Sequence, residues 1–307
     1  MFDNSSTAGS ATLIANGGIN GGQGGGIFFQ ANSTGGTSRI EVFGNGNLDI
    51  SPHRRGLTIG SIEGDGNAFL GAKNLTVGSN NLSTTFSGVI QDGGGSGGTG
   101  GSLTKIGTGT LILSGVNTYT GDTRVNRGVL QVDGSISSNT VRNFGTLAGR
   151  GTVYGNVRNH GKVSPGDVLG VPGTLTVVQS YTQAQYAHLM IQIAGANAGQ
   201  FSVLDVLGFA NLSGHLDPVL LNGFVPTVGE SFTFLNYGAA NGTLFMFNPN
   251  IDNLAEHWEV SYFPTHAILA VVAGNVSVPD QGSTFVLLTL GLLCLVTYRQ
   301  GLLRRQP

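Results

Sequence analysis

The sequence predicts an all-β solenoid that ends in one apolar segment. Three observations predict it. Glycine supplies 52 of the 307 residues, more than twice the usual share of about 7%. Short motifs recur at close intervals: Val141-Arg142-Asn143-Phe144-Gly145 returns as Val157-Arg158-Asn159-His160-Gly161. An uncharged run from Phe285 to Tyr298 stands near the C-terminus.

Composition narrows the class further. Charged residues make up 10% of the chain, against about 25% in an ordinary globular domain. That is little charge to cover a compact globule. Val, Ile, Leu and Phe are too plentiful for a disordered chain. Short strands joined by glycine turns fit both facts. Fourteen basic and 16 acidic residues give a net charge of −2, with no basic run ahead of the C-terminus, which argues against a nucleic-acid partner. Cys294 is alone and lies in the apolar tail, so neither a disulfide framework nor a cysteine metal site is expected. Met1 to Ser6 contains neither the basic nor the apolar part of a secretory leader, and the natural start is expected upstream.

Taken in order, residues 1–101 read as glycine-rich coils. Gly21 to Gly26 and Gly93 to Gly101 are turns or linkers, and Leu57-Thr58-Ile59-Gly60 is echoed by Leu75-Thr76-Val77-Gly78. Residues 102–170 hold the clearest repeats. Leu130 and Val132 alternate with Gln131 and Asp133, the period of a strand with one buried face. By the same alternation Leu111, Leu113, Leu130, Val132, Leu147, Val153, Val157 and Val163 are expected to share one continuous core. Asn143 and Asn159 are expected to form an asparagine ladder inside turns of the solenoid that satisfies buried backbone groups. Residues 171–275 carry longer apolar strands, read as terminal coils or a cap in preference to a small sandwich. No stretch before residue 280 has capped helical periodicity.

The run Leu103-Thr104-Lys105-Ile106-Gly107-Thr108-Gly109-Thr110-Leu111-Ile112-Leu113-Ser114-Gly115-Val116-Asn117-Thr118-Tyr119-Thr120-Gly121-Asp122-Thr123, continued by Val125, Gly128 and Leu130, resembles the autotransporter-associated β-strand repeat. Weaker similarity extends from about Ile40 to Gly242. The resemblance implies a right-handed parallel β-helix displayed outside the cell. The family's C-terminal outer-membrane barrel has no counterpart in the alternating segments of this sequence, so self-export in the autotransporter manner is not expected.

The tail, residues 276–307, has its own layout. Val278-Pro279-Asp280-Gln281-Gly282-Ser283-Thr284 precedes the apolar run, and Arg299, Arg304 and Arg305 follow it. A helix over Ser283 to Gln300, 18 residues, would be about 27 Å long at 1.5 Å per residue, short for a bilayer core. The arginines place its end in the cytoplasm, with a single transmembrane helix crossing the membrane through residues 284–298. This order of motif, short span and basic stop is similar to the PEP-CTERM class of sorting signals in its V-P-D-x-G-S-T variant. The resemblance implies that an exosortase-type membrane processing enzyme recognises Val278, Pro279, Asp280, Gly282, Ser283 and Thr284. Pro279 keeps the preceding backbone extended, as a protease cleft requires.

The chemistry of an enzyme is not visible in the pattern. Asp122, Asp133, Asp167, Asp205 and Asp217 are isolated from one another, whereas β-helix lyases and glycosidases need clustered carboxylates. Asp122, Arg124 and Arg127 read as a solvated strand edge. The six histidines, among them His160, His188 and His215, never fall at metal-ligand spacing. Gly93 to Gly98 matches a nucleophile elbow and a dinucleotide fingerprint by letter alone, inside a glycine run. No enzyme, cofactor or metal is expected. The expected function is that of an exported structural or adhesive surface protein, with extracellular polysaccharide or surface proteins as partners. Two alternatives stand beside it: a polysaccharide-active β-helix enzyme, and a carbohydrate-binding module presenting Trp258, Tyr237 and Tyr262 on an exposed platform.

Overall fold

The computed structural model describes residues 1–168, 170–246, 249–251 and 256–274. Among them every regular element is a strand, and no helix is long and apolar enough to cross a membrane. Segment 284–298 lies outside the described residues.

Successive coils contribute parallel strands to three faces. The first face runs from Gly56–Ile59 through Asn74–Val77, Ser102–Lys105, Thr123–Val125, Thr140–Asn143 and Asn156–Asn159 to Tyr181–Gln183. The second is a ten-stranded sheet from Thr12–Ala15 to His215–Leu220. The third begins as a four-stranded sheet ending at Val89–Gln91 and continues from Val116–Asn117 through Ser135–Ile136 and Thr152–Val153 to Thr174–Val177. Val203–Leu212 turns the last corner: its first half pairs with Thr174–Val177 and its second with Tyr181–Gln183. Parallel pairing between consecutive coils on three faces is the topology of a β-helix solenoid.

The register stacks like on like. Thr110 to Leu113 align with Val129 to Val132, and Leu130 aligns with Leu147, which aligns with Val163. Leu111, Leu113, Leu130, Val132, Leu147, Val153, Val157 and Val163 are each at most 1% exposed and belong to one apolar core. The alternation read from sequence therefore names the inward face. Glycine is required where coils touch. Gly128 has φ +67°, and a Cβ there would lie 2.5 Å from the carbonyl oxygens of Gly107 and Gly109.

The glycine run Gly93 to Gly101 is tied down rather than free. The buried Asp49 carboxylate accepts from Gly95 N at 2.7 Å, and Ser51 Oγ accepts from Ser96 N at 2.9 Å. Asp92 accepts from Gly100 N and Gly101 N at 3.1 and 2.9 Å. Asp92 is a local anchor, but Asp49 and Ser51 come from two coils earlier, where no local pattern marks them.

The C-terminal part changes direction. Ser231–Gly242 adds to the sheet in parallel with Val203–Leu212. It then pairs antiparallel with His266–Ala273, which pairs antiparallel with Glu256–Tyr262. Phe232 packs edge-on against Phe201, Phe224 and Trp258 at 5.3, 6.4 and 5.8 Å. Trp258 and Tyr237 are each 5% exposed, and the Tyr262 hydroxyl accepts from Leu244 N at 2.7 Å. The exposed aromatic platform weighed for these three residues is thus corrected. They close the end of the core, as aromatic mass does wherever it can leave water.

Candidate functional site

The repeat motif is built around buried polar side chains. Lys105 is 1% exposed, and its Nζ donates to the carbonyls of Ile106, Gly107 and Arg127 at 2.5, 3.3 and 3.5 Å. Burial pushes its ammonium down to about 8. Asn117 bridges three coils. Its Oδ1 accepts from Ile90 N at 3.0 Å, and its Nδ2 donates to Gly115 O and Ser135 O at 3.0 and 3.1 Å. Asn117 thereby joins the four-stranded sheet to the later half of the third face. Tyr119 is fully buried against the Thr123 hydroxyl at 2.6 Å, and burial pushes its phenol above the ordinary range. Lys105 and Asn117 satisfy backbone groups that a stack of coils would otherwise leave unpaired, whereas Tyr119 and Thr123 satisfy each other.

Further along the first face an amide ladder takes over. Asn143, Asn159 and Gln183 stand in register and are all at most 2% exposed. Each donates to a strand start on the second face: Asn143 to Lys162 O at 2.7 Å, Asn159 to His188 O at 3.2 Å and Gln183 to His215 O at 2.9 Å. Asn143 also donates to Asn159 Oδ1 at 2.8 Å. The expected asparagine ladder is present, at the ends of strands rather than inside turns, and a glutamine extends it.

The outside of the same face is different. Arg124, Arg142 and Arg158 align across three adjacent coils and point outward. Arg142 pairs with Asp122. Arg124 bonds Asn126 Oδ1 and lies 4.6 Å from the centroid of Phe144. Phe144 stacks on His160 at 5.0 Å with an 11° tilt. The sequence shows no basic run here, and Asp122, Arg124 and Arg127 read as a lone strand edge. Folding corrects that reading: coils of unequal length bring scattered arginines into one row.

A second outer cluster was not singled out in the sequence. Glu41 and Glu63 are register partners, and Arg39 pairs with both, with Glu41 at 3.0 Å. They line a groove of about 450 Å³ with Phe43, Thr84 and Thr85. Paired carboxylates could serve glycoside chemistry; here one guanidinium bridges an oxygen of each. His188 stacks on His215 at 4.8 Å and bonds Asp217 at 2.7 Å. Asp167 pairs with Arg150 at 2.7 Å. Among the described residues no group of three His, Cys, Asp or Glu could hold a metal ion. Val278, Pro279, Asp280, Gly282, Ser283, Thr284, Arg299, Arg304 and Arg305 lie outside the described residues.

Comparison with known proteins follows the same division. Residues 103–132 match the Passenger-associated-transport-repeat family, and residues 277–302 match the VPDSG-CTERM motif. An extracellular serine protease of Serratia marcescens is 53% identical over 72 residues, 23% of this chain and 7% of that protein. The adhesin BmaC autotransporter of Brucella suis biovar 1 (strain 1330) is 36% identical over 116 residues, 34% of this chain and 3% of that protein. The similarity thus spans under a tenth of these relatives' length. The chain carries a passenger-associated transport repeat at residues 103–132, within a mostly parallel all-β solenoid, and a match to the VPDSG-CTERM motif at residues 277–302.

Proposed function

We propose that this chain is an exported, surface-associated β-helix with a structural or adhesive role, sorted through its C-terminal signal. The observation that carries the proposal is the union of a passenger-associated repeat with a sorting motif in one chain. The repeat's polar residues Lys105, Asn117, Tyr119 and Thr123 face inward. That supports a scaffold whose partners meet its outer rows. The adhesin relative supports an adhesive role. The right hand of the coil rests on the resemblance and on the general handedness of parallel crossovers.

In this proposal the regions 1–101, 102–170 and 171–275 form one rod. An exosortase-type enzyme acts at Val278 to Thr284, the membrane is crossed through residues 284–298, and Arg299, Arg304 and Arg305 stay in the cytoplasm. Extracellular polysaccharide or other surface proteins are the partners. The chain itself is not an enzyme in this reading, because Arg39 holds the paired Glu41 and Glu63. Polysaccharide hydrolysis or lyase activity that disappears in Glu63→Gln would restore the enzymatic alternative.

The test is surface labelling. The gene is expressed with its own leader in a host that has the sorting enzyme, and intact cells are treated with a membrane-impermeant amine reagent. Labelled peptides containing Lys73 and Lys162 are expected from intact cells. Labelling that appears only after lysis would overturn the proposal.

A further inference from the structure

We propose that the arginine row Arg124–Arg142–Arg158, with the stacked Phe144–His160 pair at its edge, binds a linear acidic polysaccharide of the polyuronate class. The inference deepens the surface-protein proposal above and rests on it for the place where partner and protein meet.

The charge distribution is the first support. Between residues 120 and 162 the chain carries Arg124, Arg127, Arg142, Arg150, Arg158 and Lys162 against Asp122 and Asp133, in a chain whose totals are 14 basic and 16 acidic. The register is the second. Like charges directly opposite one another on neighbouring strands are destabilising, yet Arg124, Arg142 and Arg158 are stacked in that way on three successive coils. Asp122 offsets Arg142 alone. Arg124 is held by a neutral amide and an aromatic ring. Arg158 makes no ion pair among the described residues. A scaffold face has no need of such a row, and an anion laid along it would offset the repulsion.

Shape selects the partner. Coils rise about 4.8 Å each, so the row is straight and runs along the solenoid axis. A linear chain with carboxylates at regular intervals can lie along it, each carboxylate meeting a guanidinium fork. Thr104 and Thr182 continue the row at its two ends; Thr182 offers its hydroxyl to a sugar, and the Thr104 hydroxyl, which donates to Asn74 Oδ1 at 3.0 Å, can still accept. Phe144, 43% exposed with Arg124 over its ring and His160 stacked on it, offers its apolar edge to a sugar laid beside the row. Nucleic acid fits less well. Single-stranded bases need separate aromatic platforms, and these two rings already stack on each other.

The experiment measures binding of the purified full chain, in mild detergent, to polygalacturonate oligomers, with dextran as the neutral control and single-stranded DNA as the competing polyanion. Binding of polygalacturonate but not dextran, weakening as salt rises, is expected. The variant Arg124→Gln/Arg142→Gln/Arg158→Gln should lose about tenfold or more in affinity. A variant with the same charge change elsewhere, Arg54→Gln/Arg55→Gln/Lys73→Gln, should bind as the parent does. Thermal melts check both variants for folding. If the first does not fold, Arg158→Gln alone should still weaken binding and flatten its salt dependence. No polygalacturonate binding, equal losses in both variants, or DNA bound as tightly through the same arginines would each overturn the proposal. Surface labelling of intact cells is a separate readout, so failure to bind does not touch the location of the protein, and failure of display does not touch the binding site.

Discussion

The Asn143 side-chain amide donates to the Asn159 side-chain oxygen at 2.8 Å, from one coil to the next, with both side chains fully buried. The same Asn143 nitrogen also donates to Lys162 O, while Asn159 Oδ1 accepts from Gly161 N. One amide thus ties together two coils and two turns. Asn143 Oδ1 has no partner among the described residues, because the preceding rung is the apolar Val125. The ladder begins at Asn143 for that reason.

Removing a rung should therefore cost more than one ordinary hydrogen bond. Asn159→Ala strands the Asn143 amide's contact and leaves His188 O without its donor. A loss of roughly 1–3 kcal/mol is expected from such unmet buried groups. In a double-mutant cycle with Asn143→Ala the pair should couple by about 0.5–3 kcal/mol. Urea denaturation of the four proteins measures both. Strictly additive losses would mean that the two amides act independently.

Lys105 gives the fold a pH dependence whose sign is fixed. Burial lowers its folded-state value from 10.5 to about 8. Below about pH 8 the lysine is charged in both folded and unfolded chains, and its burial penalty is fully present. Between pH 8 and 10.5 the unfolded chain holds more protons than the folded one, so stability rises with pH through this group. The rise is about 3 kcal/mol at 1.36 kcal/mol per pH unit. Tyr119 and Tyr181 act oppositely, since burial raises both phenols, but only above about pH 10, where unfolded tyrosine ionises. Denaturation midpoints between pH 8 and 10 should climb in the parent and climb less in Lys105→Met. Equal slopes in the two proteins would remove Lys105 from the account.

Two substitutions separate the core from the turns. Leu130→Ala empties a site that is 0% exposed and should cost roughly 2–5 kcal/mol. Gly128→Ala removes no contact but places a Cβ at φ +67°, 2.5 Å from two carbonyl oxygens. The backbone conformation alone costs about 1–2 kcal/mol, and the clash adds to it. Thermal melts should rank both well below the parent. A Gly128→Ala protein of parental stability would show that the coils can separate at that turn.

What was legible in the sequence was whatever repeats locally. Leu111, Leu113, Leu130 and Val132 declare their face through a two-residue period, and Asn143 and Asn159 declare their alignment through identical neighbours. What was hidden depends on coil length. Glu41 meets Glu63, and Arg124 joins the already repeated Arg142 and Arg158, only once the register is known, because successive coils differ in length. Asp49 reaches Gly95 across 46 residues, a separation that no local pattern marks. Trp258 looked available as a platform because it sits on an antiparallel strand, Glu256–Tyr262, that departs from the parallel order before it, and its burial comes from Phe232 on a different strand.

The last prediction concerns the tail. We expect Val278 to Thr284 to be a processing site and the segment after it to be discarded. A permanent anchor needs no proline-acid-glycine motif directly before an apolar run of barely sufficient length. A transient anchor does, because it holds the chain at the membrane only until a protease reads the motif. The match of residues 277–302 to the VPDSG-CTERM motif supports this order of events. Cys294 would leave with the segment, and the mature chain would then contain no cysteine, which suits an oxidising exterior. Intact-mass analysis of surface protein, from a host that has the sorting enzyme, should lack residues 285–307. Pro279→Ala and Asp280→Ala should each leave the tail attached. Recovery of the full-length chain from the parent, unchanged by either substitution, would make the tail a plain membrane anchor.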